Sequence, residues 1–201
     1  MTGSGRVEEA IARYGWASED SVFGLGGCVT LARGVPPEEA LRILVPDAAT
    51  DVRPASEVRA WAESFFDPPY ANVVEAGTVG DWTLVVEDSS GFRATLGGNA
   101  ETLSRRGEAV VVFQSINVDM SFAYARLGVL VRQFEPAMYD VIPQVGEPLP
   151  YEEGLGFGSR EDLAYLAAAL VLAERITGLA LTREDLEPSA DRPAIGFRQQ
   201  G

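Results

Sequence analysis

From Ala71 to Glu135 the apolar residues recur with a period of two, and this stretch constrains the fold more than any other feature of the chain. Alternation of that kind places one side chain in a core and the next on the opposite face, as a strand requires. Five segments carry it: Asn72–Thr78, Trp82–Glu87, Ala109–Ile116, Ser121–Arg126 and Val129–Glu135. They are rich in Val, Phe, Tyr and Trp, and Gly80-Asp81, Ser90-Gly91 and Leu127-Gly128 punctuate them. Connections this short join antiparallel neighbours, so the expected sheet is a meander. A further short strand, Cys28–Ala32, follows the turn Gly24-Leu25-Gly26-Gly27. The fold class predicted is α+β, an antiparallel meander of about five to six strands packed against helices.

Helical spacing replaces the alternation on either side. Val7, Ala10, Ile11 and Tyr14 share a face, and Pro36-Pro37-Glu38-Glu39 opens a helix through Leu44 with proline and acids in the first turn. Ser56 to Phe66 gives another helix, stopped by Asp67-Pro68-Pro69, and Gly97 to Arg106 a brief one. The spacing of Ser159 and Asp162 suggests a capping box for a long C-terminal helix to Ile176, ended by Gly178. That helix is apolar nearly all round, so it should lie against the sheet or in an oligomer contact. Thr182-Arg183-Glu184-Asp185 starts a last short helix. The expected organisation is a single domain over residues 1–187 and a loose polar tail over 188–201.

The composition narrows the chemistry. The chain has 201 residues, no histidine, one cysteine, and 30 acidic against 16 basic residues for a net charge of −14. Every basic residue is arginine. Without histidine the usual general base for a Ser, Thr or Cys nucleophile is missing. Without lysine there is neither a Schiff base nor a Gly-Lys-Ser/Thr phosphate loop. No cofactor or metal motif is present. The acidic balance disfavours nucleic acid and anionic lipid and suits a basic protein partner. No apolar run approaches the roughly 20 residues of a membrane span. Glu8 and Glu9 stand where a signal peptide would be apolar, so a cytoplasmic location is expected.

Few residues stand out as candidates. Gly154–Arg160 precedes a helix, but no strand leads into it, and it reads as a turn. Cys28 reads as a small buried hydrophobe. Glu87, Asp88, Asp119 and Glu135 sit at strand ends or turns, where two could approach for acid–base work or a hard cation, or simply be solvated. Tyr124, Arg126, Arg132 and Phe134 flank the Leu127-Gly128 turn. Arginine and aromatic side chains alternating on a hairpin form a platform for a partner, or an ordinary edge pair. The binding residues expected are therefore Tyr124, Arg126, Arg132, Phe134, Glu87 and Glu135.

A set of short motifs adds a resemblance. Gly27-Cys28-Val29-Thr30-Leu31, Pro37-Glu38-Glu39-Ala40-Leu41 and Asp81-Trp82-Thr83-Leu84-Val85-Val86-Glu87 come first. Leu103-Ser104-Arg105, Ser121-Phe122-Ala123-Tyr124-Ala125, Phe134-Glu135-Pro136, Glu174-Arg175-Ile176-Thr177-Gly178 and Leu181-Thr182 follow in order. Taken together they make the chain similar to an uncharacterised actinobacterial family, a domain of unknown function, from about residue 27 to 187. The resemblance implies an intracellular protein and transfers no catalytic residue. Where the family pattern has an acidic Glu-Asp-Gly turn, this chain has Arg126-Leu127-Gly128. Two functions remain open: a non-catalytic protein-interaction or regulatory, immunity-like module, and a small-molecule-binding protein or enzyme using an Asp/Glu/Arg pocket.

Overall fold

In the computed structural model, residues 3–18, 22–48, 50–65, 71–88 and 92–198 are described. Their centre is one sheet of eight antiparallel strands in the order β2-β8-β3-β4-β1-β5-β6-β7. The strands are β1 (Gly27–Arg33), β2 (Arg53–Pro54), β3 (Ala71–Val79), β4 (Trp82–Glu87), β5 (Glu108–Gln114), β6 (Met120–Arg126), β7 (Val129–Phe134) and β8 (Pro193–Arg198). The helices are α1 (Gly3–Arg13), α2 (Pro37–Leu44), α3 (Ala55–Ala62), α4 (Asn99–Leu103), α5 (Tyr165–Thr177) and α6 (Arg183–Leu186). The α+β class holds. The meander of five to six strands does not, because the sheet has eight, β1 separates β4 from β5 and β8 lies between β2 and β3.

Alternation sorts the side chains onto two faces. Val29 and Leu31 of β1, Trp82, Leu84 and Val86 of β4, and Val110 and Val112 of β5 pack beneath α1 and α5. Cys28, Ala32, Val85, Ala109 and Val111 point the other way, under α2 and α4. The small α3 covers Val73 and Ala194 at the β3–β8 end. Val73 sits on the same face as Glu75, opposite Val86 in the β3–β4 register, so α3 shares the α5 side. Helices therefore cover both faces, and the central strands are buried along nearly their whole length.

The two tight hairpins form as their sequences suggest. Gly80-Asp81 joins the Val79–Trp82 pair, and Leu127-Gly128 joins Arg126 to Val129. At the latter both turn residues are left-handed, with φ of 49° and 82°. That is the primed turn whose twist matches a hairpin, built with a leucine where Asn or Gly is usual.

Three expectations fail in the C-terminal third. The helix starts at Tyr165 rather than Ser159 and is 13 residues long, not the long helix anticipated. Asp162 pairs with Arg160 at 2.6 Å instead of closing a box on Ser159. Leu163 then turns left-handed, with φ of 55°, and breaks any helix begun earlier. Finally, residues 193–198 are a strand, so the stretch expected to be a loose tail completes the sheet. Gly196 shows why this short strand fits: a Cβ there would come within 2.4 Å of the Trp61 ring of α3. The Ser90-Gly91 turn, the Asp67-Pro68-Pro69 stop and residues 199–201 lie outside the described residues.

Candidate functional site

The hairpin expected to form an open platform is largely interior. Tyr124 (7% exposed), Phe134 (3%) and Arg132 (0%) are buried, and only Arg126 keeps an exposed side chain, 3.7 Å from Glu108. Tyr124 and Phe134 belong to the core under α1 and α5, because their strand positions face the sheet's covered side. Tyr124 also donates to Glu108 at 2.6 Å. The platform is not a surface.

Arg132 has a structural task. Its Nε donates to Glu152 Oε1 at 2.8 Å and its Nη2 to Glu152 Oε2 at 3.1 Å. It also donates to the Gly146 carbonyl at 2.9 Å and the Tyr139 hydroxyl at 2.7 Å. Tyr139 in turn donates to Glu152 at 2.7 Å, and Glu152 accepts from the Leu149 N–H at 2.8 Å. Burial works to raise the Glu152 carboxyl, but these hydrogen bonds, Arg132's first, hold it below the usual carboxylate range. One guanidinium thus fastens the segment from Tyr139 to Glu152 onto β7.

The expected acids separate. Glu87 is fully buried on the side of the sheet that α2 and α4 cover, accepting from the Arg93 N–H at 2.7 Å and the Ala94 N–H at 2.9 Å. Burial raises its carboxyl despite those bonds. Its cross-strand partner is Cys28, whose thiol is pushed up first by burial and then by Glu87. That makes Cys28 a packed side chain rather than a nucleophile. Glu135 accepts from the Met120 N–H at 2.7 Å and the Ala137 N–H at 3.2 Å, closing the β6–β7 end. Its carboxyl is raised by burial, with neighbouring Asp119 a smaller contribution. Among the described residues no three Cys, Asp or Glu side chains come together to hold a metal ion.

Asp88, the residue after Glu87, points to the opposite face and reaches a cavity. That cavity has a volume of about 240 Å³, with Val22, Val86, Leu186 and Pro188 as its apolar walls. Arg59, Asp88, Arg183 and Glu187 supply its polar side. Behind it lies Glu75, 1% exposed. Arg59 Nη2 donates to Glu75 Oε2 at 2.9 Å, and Nη1 donates to Asp88 Oδ2 at 3.4 Å. Arg192 approaches the other Glu75 oxygen at 3.6 Å. That oxygen and Arg59 Nε are buried without a hydrogen bond. Burial raises the Asp88 carboxyl against the pull of Arg59. A buried acid held by two arginines beside a half-apolar cavity is costly for stability alone and is where perturbed groups gather at binding sites.

Arg59, Glu75, Arg183 and Arg192 were not singled out by the sequence. One signal was readable: Glu75 interrupts Val73-Val74-Glu75-Ala76, a run otherwise apolar on both faces. A charge within such a run needs a partner or a ligand.

Among the described residues no helix is long and apolar enough to cross a membrane. No curated protein matches the chain, and no solved structure does either. A family profile matches residues 8–194, nearly the whole described fold including the first positions of β8. With most of its length matched in this way, the chain belongs to DUF6461, a family of unknown function.

Proposed function

We propose that this domain binds a small organic molecule in the cavity between α3, β4 and α6. One observation carries the reading: an apolar-walled hollow of about 240 Å³ whose polar side presents Arg59, Asp88 and Arg183 in front of the buried Glu75. Apolar walls supply affinity and a few convergent polar groups supply orientation, the usual division of labour in a ligand site. Neither histidine nor lysine is available, so any proton transfer at this site falls to a carboxyl group, and of the two on the lining Asp88 is the one whose burial favours its protonated form. The test is a thermal-shift screen of metabolites against the native sequence and Pro188→Trp. Pro188 is exposed at the rim, so a tryptophan there blocks the cavity without entering the core. A compound that raises the native midpoint and leaves Pro188→Trp unmoved supports the reading. Compounds that stabilise both equally would refute it.

A second reading, a regulatory or immunity-like interaction module of the cytoplasm with a basic partner, is favoured by a different feature. Met138, just before the segment Arg132 fastens, and Val141, Ile142 and Val145 within it are all exposed, and exposed apolar residues concentrated in this way suit a protein contact. Affinity capture with the native protein and with Val141→Asp/Ile142→Asp decides it. A stoichiometric partner lost in the double variant supports the contact, and equal capture by both proteins rules out this surface.

A further inference from the structure

Arg183 stands apart from the other cations of the cavity. Arg59 is committed to Glu75 and Asp88, and Arg192 to Glu75 and the Glu187 carbonyl. The guanidinium of Arg183 has neither an ion pair nor a hydrogen bond among the described residues, although acids outnumber arginines 30 to 16. Arg6 and Arg105 also lack an acceptor but are exposed, whereas Arg183 is half-buried. An arginine withheld from so many carboxylates keeps all its donors for an anion that arrives from solution.

Arg183 also lines a second cavity, of about 480 Å³, with half-buried Trp16, Leu181 and Glu184. Arg13, at that cavity's edge, is occupied by Glu174 at 3.1 Å. The Tyr14 hydroxyl is occupied too, donating to Glu174 at 2.9 Å and accepting from the Leu181 N–H at 3.2 Å. With the Glu184 carboxylate also on the lining, the groups left to attract an anionic, ring-bearing ligand are the Arg183 guanidinium and the Trp16 indole.

Arg183 lines both cavities. Building on the cavity reading above, we propose that the ligand is a flat-ringed monocarboxylate, its carboxylate held by Arg183 at the border of the two and its ring reaching into the second cavity against Trp16. A guanidinium fork matches a carboxylate with two parallel hydrogen bonds, and an aromatic ring gains from an indole what a saturated ring does not. The net charge of −14 selects one negative charge over several, because each added charge on the ligand meets the protein's overall repulsion.

The experiment is ligand-observed NMR and calorimetric titration with 2-naphthoate, 2-naphthamide, decalin-2-carboxylate and adenosine monophosphate. The naphthoate binds, and the amide and the saturated acid bind at least about tenfold more weakly. The nucleotide does not compete. Arg183→Met weakens naphthoate about tenfold with an unchanged melting midpoint, since its guanidinium has no partner to lose. Trp16→Leu erases the preference for the naphthyl over the decalin acid, and Trp16→Phe restores part of it. Naphthoate binding that ignores Arg183→Met, or tighter binding of the nucleotide, overturns the inference. So does the absence of binding by both acids. A neutral metabolite that loses its effect in Pro188→Trp would overturn it as well, while leaving the cavity reading intact.

Discussion

Replacing Arg132 by methionine tests whether a single guanidinium fastens the segment from Tyr139 to Glu152. Methionine keeps much of the apolar stem but removes every donor, leaving Glu152, 8% exposed, as a buried carboxylate without its cation. Breaking a buried pair from one side costs about 3–5 kcal/mol, far more than an exposed pair is worth. For a chain of this size each kcal/mol moves the midpoint by about 2–4 °C, so the loss is on the order of 6–20 °C. The assay is thermal and urea unfolding of the native protein, Arg132→Met, Glu152→Gln and the double variant. In the double variant the uncompensated charge is gone, and the substituted amide can still accept from the Leu149 N–H. The two substitutions should therefore cost less together than their sum, with a coupling of at least about 1 kcal/mol. A single-variant cost below about 1 kcal/mol, or strict additivity, would refute the clamp.

Further predictions follow from other features. Leu127→Asn places a residue tolerant of positive φ at a position with φ of 49° that is 66% exposed, and should stabilise by about 1 kcal/mol in urea titration. Glu152 has a carboxyl lowered from its ordinary 4.5, so its contribution is present above that pH and is lost as the pH falls below it. Arg132→Met should flatten the acid limb of the stability–pH profile accordingly. Gly196→Ala drives a methyl into the Trp61 ring and should cost about 1–3 kcal/mol by chemical unfolding. A chain ended at Arg192 loses β8 and should show no cooperative thermal transition by circular dichroism.

The local parts of the fold were legible because they depend on neighbours in sequence. Trp82–Glu87 carries its observed bounds in the local pattern, α2 ends at Leu44 as that pattern suggests, and a short helix does start at Thr182–Asp185, with Thr182 as its cap. Strand order was not legible. Nothing in Cys28–Ala32 says that it will part β4 from β5, and nothing in the Pro193–Arg198 segment offers the alternation of a strand, since glycine and proline interrupt it. Tertiary contact with Trp61 and β3 decides that segment. The candidate site was obscured for the same reason. Arg59, Glu75 and Arg192 come from α3, β3 and the approach to β8, and only the register brings them together. Tyr124, Arg132 and Phe134 stand out through local alternation, which cannot tell a covered face from an open one. Glu75 was the exception, a charge inside a doubly buried run.

The place of β8 has a consequence for how the chain is made. Strand β3 emerges early from the ribosome, but its outer partner is the last strand of the fold. Until residues 193–198 are released, β3 presents an unpaired row of amides and carbonyls on the side where β8 will pair. Nascent chains in that interval have an open edge able to pair with another such edge. Polysome crowding and slow translation through the codons for residues 193–198 should therefore lower the soluble yield of this protein more than its native stability would suggest.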